Sequence, residues 1–270
     1  MPFSISRRRV ILASVAVSLC YGISPAAIAD DRLTAARTEL APTGTLRVIL
    51  FPLPIIATRD ATGTLQGVAA DISRELGRRL GVPVELIPAA DPASTVEQVR
   101  TQGADLTFLV NLPARAALID FGPAYVSLET TYLVSANSRI ADLADIDQPG
   151  RRILVPQNSD LSATLARTLK QAVLIQNPIG AMKLAAEKLV AGDADAYTDF
   201  HHLLSLLQPS VPGSRILTGS IMATDLSVAT RKGSDSGAAY VAEAVKEMKS
   251  SGFIADAIAR AGLKGALVPR

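Results

Sequence analysis

The sequence predicts an α/β fold, a mostly parallel sheet covered by helices. Three observations carry this. Short apolar runs of strand length alternate with amphipathic helical stretches, the breaks fall at glycine and proline, and the alternation is laid down twice. Strand, helix, strand, helix, strand is the order of a parallel sheet whose crossovers are helices.

A polar lead over 30–43 precedes Leu46-Arg-Val-Ile-Leu50, a buried strand that Phe51-Pro-Leu-Pro54 breaks. After a turn at Asp60-Ala-Thr-Gly63, Val68, Ile72, Leu76 and Leu80 recur every four residues. They predict one buried face of a helix that Gly81 stops. Val84–Ile87 reads as the next strand, Ser94-x-x-Glu97 as a capping box opening a short helix, and Asp105–Val110 as a third strand. The segment 130–135 is extended, and the pattern then restarts: strand 153–155, helix 159–170, strand 173–175, helix 180–191 stopped by Gly192, and strand 195–197. A second extended segment, 222–230, leads to closing helices over 237–250 and 253–261.

The first 29 residues read as an export signal. Arg7-Arg8-Arg9 supply a cationic head, Val10–Tyr21 an apolar run, and Ala27-Ile28-Ala29 a small-x-small cleavage site. Ser6-Arg7-Arg8-Arg9-Val10-Ile11 also resembles a twin-arginine signal, so two export routes stay open. Gly22 and Pro25 interrupt the run short of the ~20 apolar residues a spanning helix needs. Cleavage near Ala29 removes the only cysteine, Cys20, and with it any disulfide or thiol chemistry. It also removes three of the 27 basic residues and none of the 25 acidic ones, turning a net charge of +2 into −1. The basic pI of 8.8 is therefore largely the signal's, and no basic stripe points to nucleic acid.

The candidate binding residues lie where strands end, because ligands in open α/β sheets collect outside the carboxyl ends of strands. Arg115 follows the apolar run to Leu112 and the break at Pro113. Its guanidinium is a permanently charged planar fork suited to a carboxylate. Pro156-Gln-Asn-Ser159-Asp160-Leu161 leads from a strand into a helix, whose free N–H groups offer a second grip on an anion. Ser159 and Asp160 also read as helix caps. Asp71 reads as an N-terminal helix charge and Asp120 as a turn residue behind Arg115. His201 and His202, the only histidines, are adjacent, so on a helix they point about 100° apart and do not converge on a metal. Neither a metal nor a cofactor is expected.

Arg115 and the Ile119-Asp-Phe-Gly-Pro-Ala-Tyr125 that follows resemble the signature of bacterial periplasmic solute-binding proteins of the polar amino-acid type, extracellular family 3. So do Thr43-Gly-Thr-Leu-Arg-Val48, Gly63-x-x-x-Gly67-Val-Ala-Ala-Asp71, Gly192-Asp-Ala-Asp-Ala-Tyr197 and Met248-Lys-Ser-Ser-Gly252, in order and over nearly the whole mature chain. The resemblance implies a two-lobed, type II periplasmic-binding-protein-like fold with hinge crossovers near 130–135 and 222–230. Lobe one would comprise 44–132 plus 224–270, and lobe two 133–223.

The resemblance further implies the substrate-binding component of an ABC importer: a periplasmic monomer that captures a small anionic or zwitterionic solute for an inner-membrane permease. Arg115 would hold the ligand's carboxylate, Val110 and Asn111 the strand-end loop beside it, and Phe51 an aromatic face. Asp199 would meet the ligand's ammonium. It lies four residues past Asp195, where the family has five, and Phe200 takes the expected slot. A one-residue slip on a strand reverses the side chain's face, so which way Asp199 points stays open. Phe108, Val110 and Leu112 stand where commoner members have small or hydroxylic residues. Two other readings are a periplasmic enzyme of the cyclohexadienyl dehydratase type, and an accessory module of a periplasmic dehydrogenase with a degenerate cleft. The residues do not name the solute.

Overall fold

The computed structural model describes residues 25–269, and the side chains of the first helix from residue 30. Residues 1–24, including most of the expected export signal, lie outside it. The first helix, α1 (Pro25–Leu40), runs through the expected cleavage site and replaces the polar lead read from the sequence. Its pattern is sparse, yet Ala36 and Leu40 are fully buried, the Arg37 Nε donates to the Leu80 carbonyl (2.9 Å), and the Glu39 carboxylate accepts the Gly237 N–H (2.8 Å).

The first unit follows: β1 (Leu46–Leu50), the small hairpin β2 (Thr58–Arg59) and β3 (Leu65–Gln66), α2 (Val68–Leu80), β4 (Val84–Pro88), α3 (Pro92–Arg100) and β5 (Leu106–Val110). Val68, Ile72, Leu76 and Leu80 are all buried, as their spacing predicts. Helix α3 starts three residues earlier than expected. Its cap is Asp91, which accepts the Ser94 N–H (2.7 Å) while the Ser94 hydroxyl accepts the Asp91 N–H. Ser94 is thus the far partner of the capping box and not its first residue.

After the short α4 (Pro113–Ala116) comes β6 (Ile119–Val134), a single long strand. The second unit is β7 (Arg152–Pro156), α5 (Asp160–Thr168), β8 (Val173–Asn177), α6 (Met182–Ala191), β9 (Ala196–Phe200) and α7 (His201–Leu207). Then β10 (Arg215–Ile216) and β11 (Met222–Arg231) lead back to α8 (Asp235–Ser250), α9 (Phe253–Arg260) and β12 (Ala266–Leu267). Among the described residues no helix is long and apolar enough to cross a membrane.

The main sheet runs β4-β1-β5-β11-β6-β9-β7-β8. Within each unit the β-α-β strands are parallel, and β11 and β6 form an antiparallel pair between the units. Register then fixes where the strands end. Val110 is level with Leu226 and so with Val126 on β6, whereas Phe200, arriving from the opposite direction, is level with Thr130. The carboxyl ends of both units therefore point at the same stretch of β6, four residues or about 13 Å apart along it. Two lobes of α/β structure face one another across that stretch. The β6–β11 ladder is irregular around Leu226–Ser227, beside this gap. Bulges of this kind bend a strand and add twist.

The duplication reaches individual hydrogen bonds. Asp105 accepts the Arg47 N–H (2.8 Å) and its own N–H meets the Arg47 carbonyl (2.8 Å), while the guanidinium clasps the carboxylate (2.7 Å). Asp195 repeats the exchange with Arg152, at 2.8 Å in both directions. Each aspartate sits just before a parallel strand and ties it to the start of its neighbour. The first pair is the more buried, with the Asp105 side chain 4% exposed against 19% for Asp195. Asp105→Ala should cost about 2–3 kcal/mol, because it strands a partly desolvated Arg47 and an unpaired N–H. Asp195→Ala should cost about half as much. Urea denaturation of the two variants checks the order, and equal costs would contradict it.

Candidate functional site

The gap between the lobes is edged by the turns that follow β5 and β7. Leu112 is extended and Pro113 opens α4 at its first position, where a missing N–H costs nothing. The Arg115 and Ala116 N–H groups both return to the Leu112 carbonyl (2.9 Å each), so the turn is rigid. From it the half-buried Arg115 guanidinium reaches back over the end of β5 and donates to the Val110 carbonyl (3.0 Å). Among the described residues Arg115 forms no ion pair. Burial holds its pKa below the ordinary value, and the charge of Asp160 pulls the other way.

That coupling puts the two predicted grips within electrostatic reach of one another, because Asp160 opens α5 in the opposite lobe. Ser159 is the cap of α5: its hydroxyl accepts the Ser162 N–H (3.0 Å) and donates to the Pro156 carbonyl (2.6 Å). Asp160, exposed in the first turn, adds a negative charge where the helix dipole favours one. Asn158, at φ 53°, supplies the left-handed residue that swings the chain from β7 into the helix. Asn111 is exposed at the tip of the β5–α4 turn, while Phe51 and Val110 are half-buried at the ends of β1 and β5. Phe51 also packs on a core cluster with Ile49 and Leu109, so packing accounts for part of its burial.

Asp199 lies at the carboxyl end of β9, half-buried. Its carboxylate accepts the Tyr197 hydroxyl (2.6 Å) and the Phe200 N–H (2.8 Å). Tyr197, two residues earlier on the same strand face, belongs to the cluster formed by α6 and α7 with Leu133 and Leu154. Asp199 is therefore turned toward that helical side. Burial pushes its carboxyl pKa up, outweighing the two donated hydrogen bonds. By strand alternation Phe200 lies on the other face, with Ala196, and its ring packs against the lobe-one core cluster that includes Leu128 and Leu203, which accounts for its half-burial. Tyr197 went unread as a partner for Asp199, although an i, i+2 pair on a strand was the available signal.

Asp71 and Asp120 have structural work. Asp71 pairs with Arg260 (2.9 Å), and Asp120 with Lys232 (3.1 Å). His202 is buried against the C-terminal segment, where its Nδ1 accepts the Lys264 N–H (3.4 Å). Among the described residues no group of three His, Cys, Asp or Glu side chains could hold a metal ion. A concavity of about 540 Å³ between α6 and α7, lined by Met182, Ala186, Val190 and Leu206, runs down the flank of lobe two and is separate from the gap.

A carboxyl whose pKa is raised on folding favours the folded state most when protonated. Its contribution is full below the unfolded value of about 3.9 and fades as pH rises through the folded one. Asp199→Asn should therefore flatten the loss of stability with rising pH and melt higher than the parent at pH 7. Melting temperatures from pH 3 to 7 test this, and identical profiles would refute it.

A family model described as bacterial extracellular solute-binding proteins, family 3, matches residues 52–261. A search of curated protein sequences finds no significant match. Among solved structures, the fold is similar to the ancestral amino acid-binding protein AncCDT-1, a precursor of cyclohexadienyl dehydratase, at 22% identity and a TM-score of 0.65 over 84% of this chain and 98% of that one. It is also similar to the solute receptor for L-cysteine of Neisseria gonorrhoeae, at 23% identity and a TM-score of 0.64 over 86% of this chain and 94% of that one. A third likeness is the amino acid ABC transporter substrate-binding protein AbpA from Streptococcus pneumoniae, bound to L-arginine, at 19% identity and a TM-score of 0.63 over 82% and 96%. With the match spanning most of its length and a two-lobed α/β architecture to go with it, the chain belongs to family 3 of the bacterial extracellular solute-binding proteins.

Proposed function

We propose that this protein is the periplasmic substrate-binding component of an ABC importer, holding a small carboxylate-bearing solute between its lobes and handing it to an inner-membrane permease. The single observation that carries the reading is the half-buried Arg115, which forms no ion pair among the described residues and feels the charge of Asp160 at the amino end of α5. A desolvated cation without a counter-ion is costly, and a bound carboxylate relieves that cost. The relief is specific to the closed arrangement, because only then do both lobes touch the same anion.

In this reading Val110, Asn111 and Phe51 form the wall on lobe one, with lobe one spanning 44–132 plus 224–270. Ser159 and Asp160 form the edge of lobe two, spanning 133–223, and Asp199 backs that edge by fixing the turn into α7. Export with cleavage near Ala29 places the carrier beside its permease, where a monomer suffices. The solved relatives that bind amino acids support the small-solute class. The chain is read as returning its solute unchanged, since the one carboxyl among the described residues with a raised pKa, Asp199, is turned toward α6 and α7 and engaged by Tyr197.

Arg115→Gln should abolish binding of whichever carboxylate stabilises the parent in a melting-temperature screen of amino acids and organic acids. The expected loss in affinity exceeds ~10²-fold, which isothermal titration reads directly. Near-normal affinity in the variant would remove Arg115 from the site.

A further inference from the structure

The hollow of about 540 Å³ on the flank of lobe two has no part in holding a solute. Six large apolar side chains stand exposed among the described residues, and three of them, Ile179, Val190 and Leu206, lie in or next to this hollow. Apolar side chains exposed singly are ordinary, whereas a cluster of them around a groove marks an interaction surface. One wall is a single stripe of α6, formed by Met182, Lys183, Ala186, Glu187 and Val190, and the other is Leu206 and Leu207 of α7.

The order of residues along α6 says what fits the groove. Lys183 and Glu187 stand about one turn apart, their charges 3.9 Å from one another and both side chains mostly in water. A contact that loose holds neither charge firmly. Laid antiparallel against a second α6, the helix brings each Lys183 opposite the partner's Glu187, giving two ion pairs about a two-fold axis. The same register sets Val190 opposite the partner's Gly180, one residue or about 1.5 Å of rise from the partner's Ile179. Charge and apolar positions thus agree on one register, which is the self-complementarity that an interface between identical copies needs. Ala186, one residue from the axis, is small enough to let the helices approach. We propose that this groove is a self-association surface, on which two copies of the chain pair α6 against α6, antiparallel, as a two-fold dimer. The contact involves lobe two alone and leaves both gaps open, so each copy can still take up its solute. Two short helices from each copy put the interface at or below about 1,200 Å², the class of weak associations.

The test is sedimentation velocity of the full mature protein over a rising concentration series, in which the parent should pass from monomer to dimer at high micromolar concentration. Lys183→Glu and Glu187→Lys should each weaken the dimer at least about tenfold, because like charges then meet at both pairs. Mixed in equal amounts, the two variants should associate with one another, since one carries only acids on the stripe and the other only bases. A chain carrying both exchanges should pair as the parent does. Val190→Asp should abolish the dimer, with an unchanged melting temperature of the monomer showing that the fold is intact. A parent that stays monomeric throughout overturns the proposal. So does a dimer indifferent to either exchange, or a mixture of the two variants that fails to associate. A monomeric parent whose Val190→Asp variant binds its solute normally but delivers less of it to the permease would assign the groove to the permease instead, and the self-association would be wrong.

Discussion

The antiparallel ladder between β6 and β11 is the constraint on which the rest of the molecule depends. Each α/β unit could build a parallel sheet alone, but only a strand long enough to serve both can aim their carboxyl ends at one place. Sixteen residues of β6 do this, with β5 reached through β11 on one side and β9 paired directly on the other. Since parallel strands collect ligands at their carboxyl ends, two converging sets turn the intervening stretch, roughly Val126 to Thr130, into the floor of a shared site. The C-terminal segment reinforces that floor. Gly265 accepts the Glu129 N–H (2.8 Å), at a φ of 68° and so close to His201 that a Cβ would stand 2.6 Å from that residue's own. Glycine is needed there for both reasons.

The electrostatics of the gap follow from this geometry. Arg115 is held by one carbonyl, half out of water, and balanced only at a distance by Asp160. A structural arginine in this fold looks different. Arg47 is clasped by Asp105, which holds its pKa above the ordinary value. The first arginine closes a sheet, and the second is the one proposed to hold a guest.

What the sequence made legible was whatever repeats or carries a strong local rule. The four-residue spacing of Val68, Ile72, Leu76 and Leu80 could only be a buried helix face, and Arg115 after a strand and a proline could be placed without coordinates. Helix α1 was hidden because its burial rests on a few small and aliphatic residues, Ala36 and Leu40 among them, in a polar stretch. The α3 start was misplaced because Ser94 fits a cap as well as it fits the far end of a capping box. The continuity of β6 was missed because Gly122 and Pro123 look like a break. Pairing with β11 at Phe121 and Ala124 keeps the strand extended past them, through an irregularity in the register, and proline is tolerated where its missing N–H leaves no ladder bond unmade.

The slip between Asp199 and Phe200 shows how little sequence distance is needed to redirect a site. Strand geometry assigns faces by parity alone, so Asp199 shares the helical side with Tyr197, while Phe200 takes the other face and packs on the lobe-one cluster. The helical side then had to accept a buried acid, and Tyr197 supplies the hydroxyl that makes this tolerable at 2.6 Å. Without that hydroxyl the carboxylate would keep only the Phe200 N–H (2.8 Å) as a donor. The tyrosine and the aspartate work as one unit, the hydroxyl offsetting part of the cost of burying the carboxylate on the helical side.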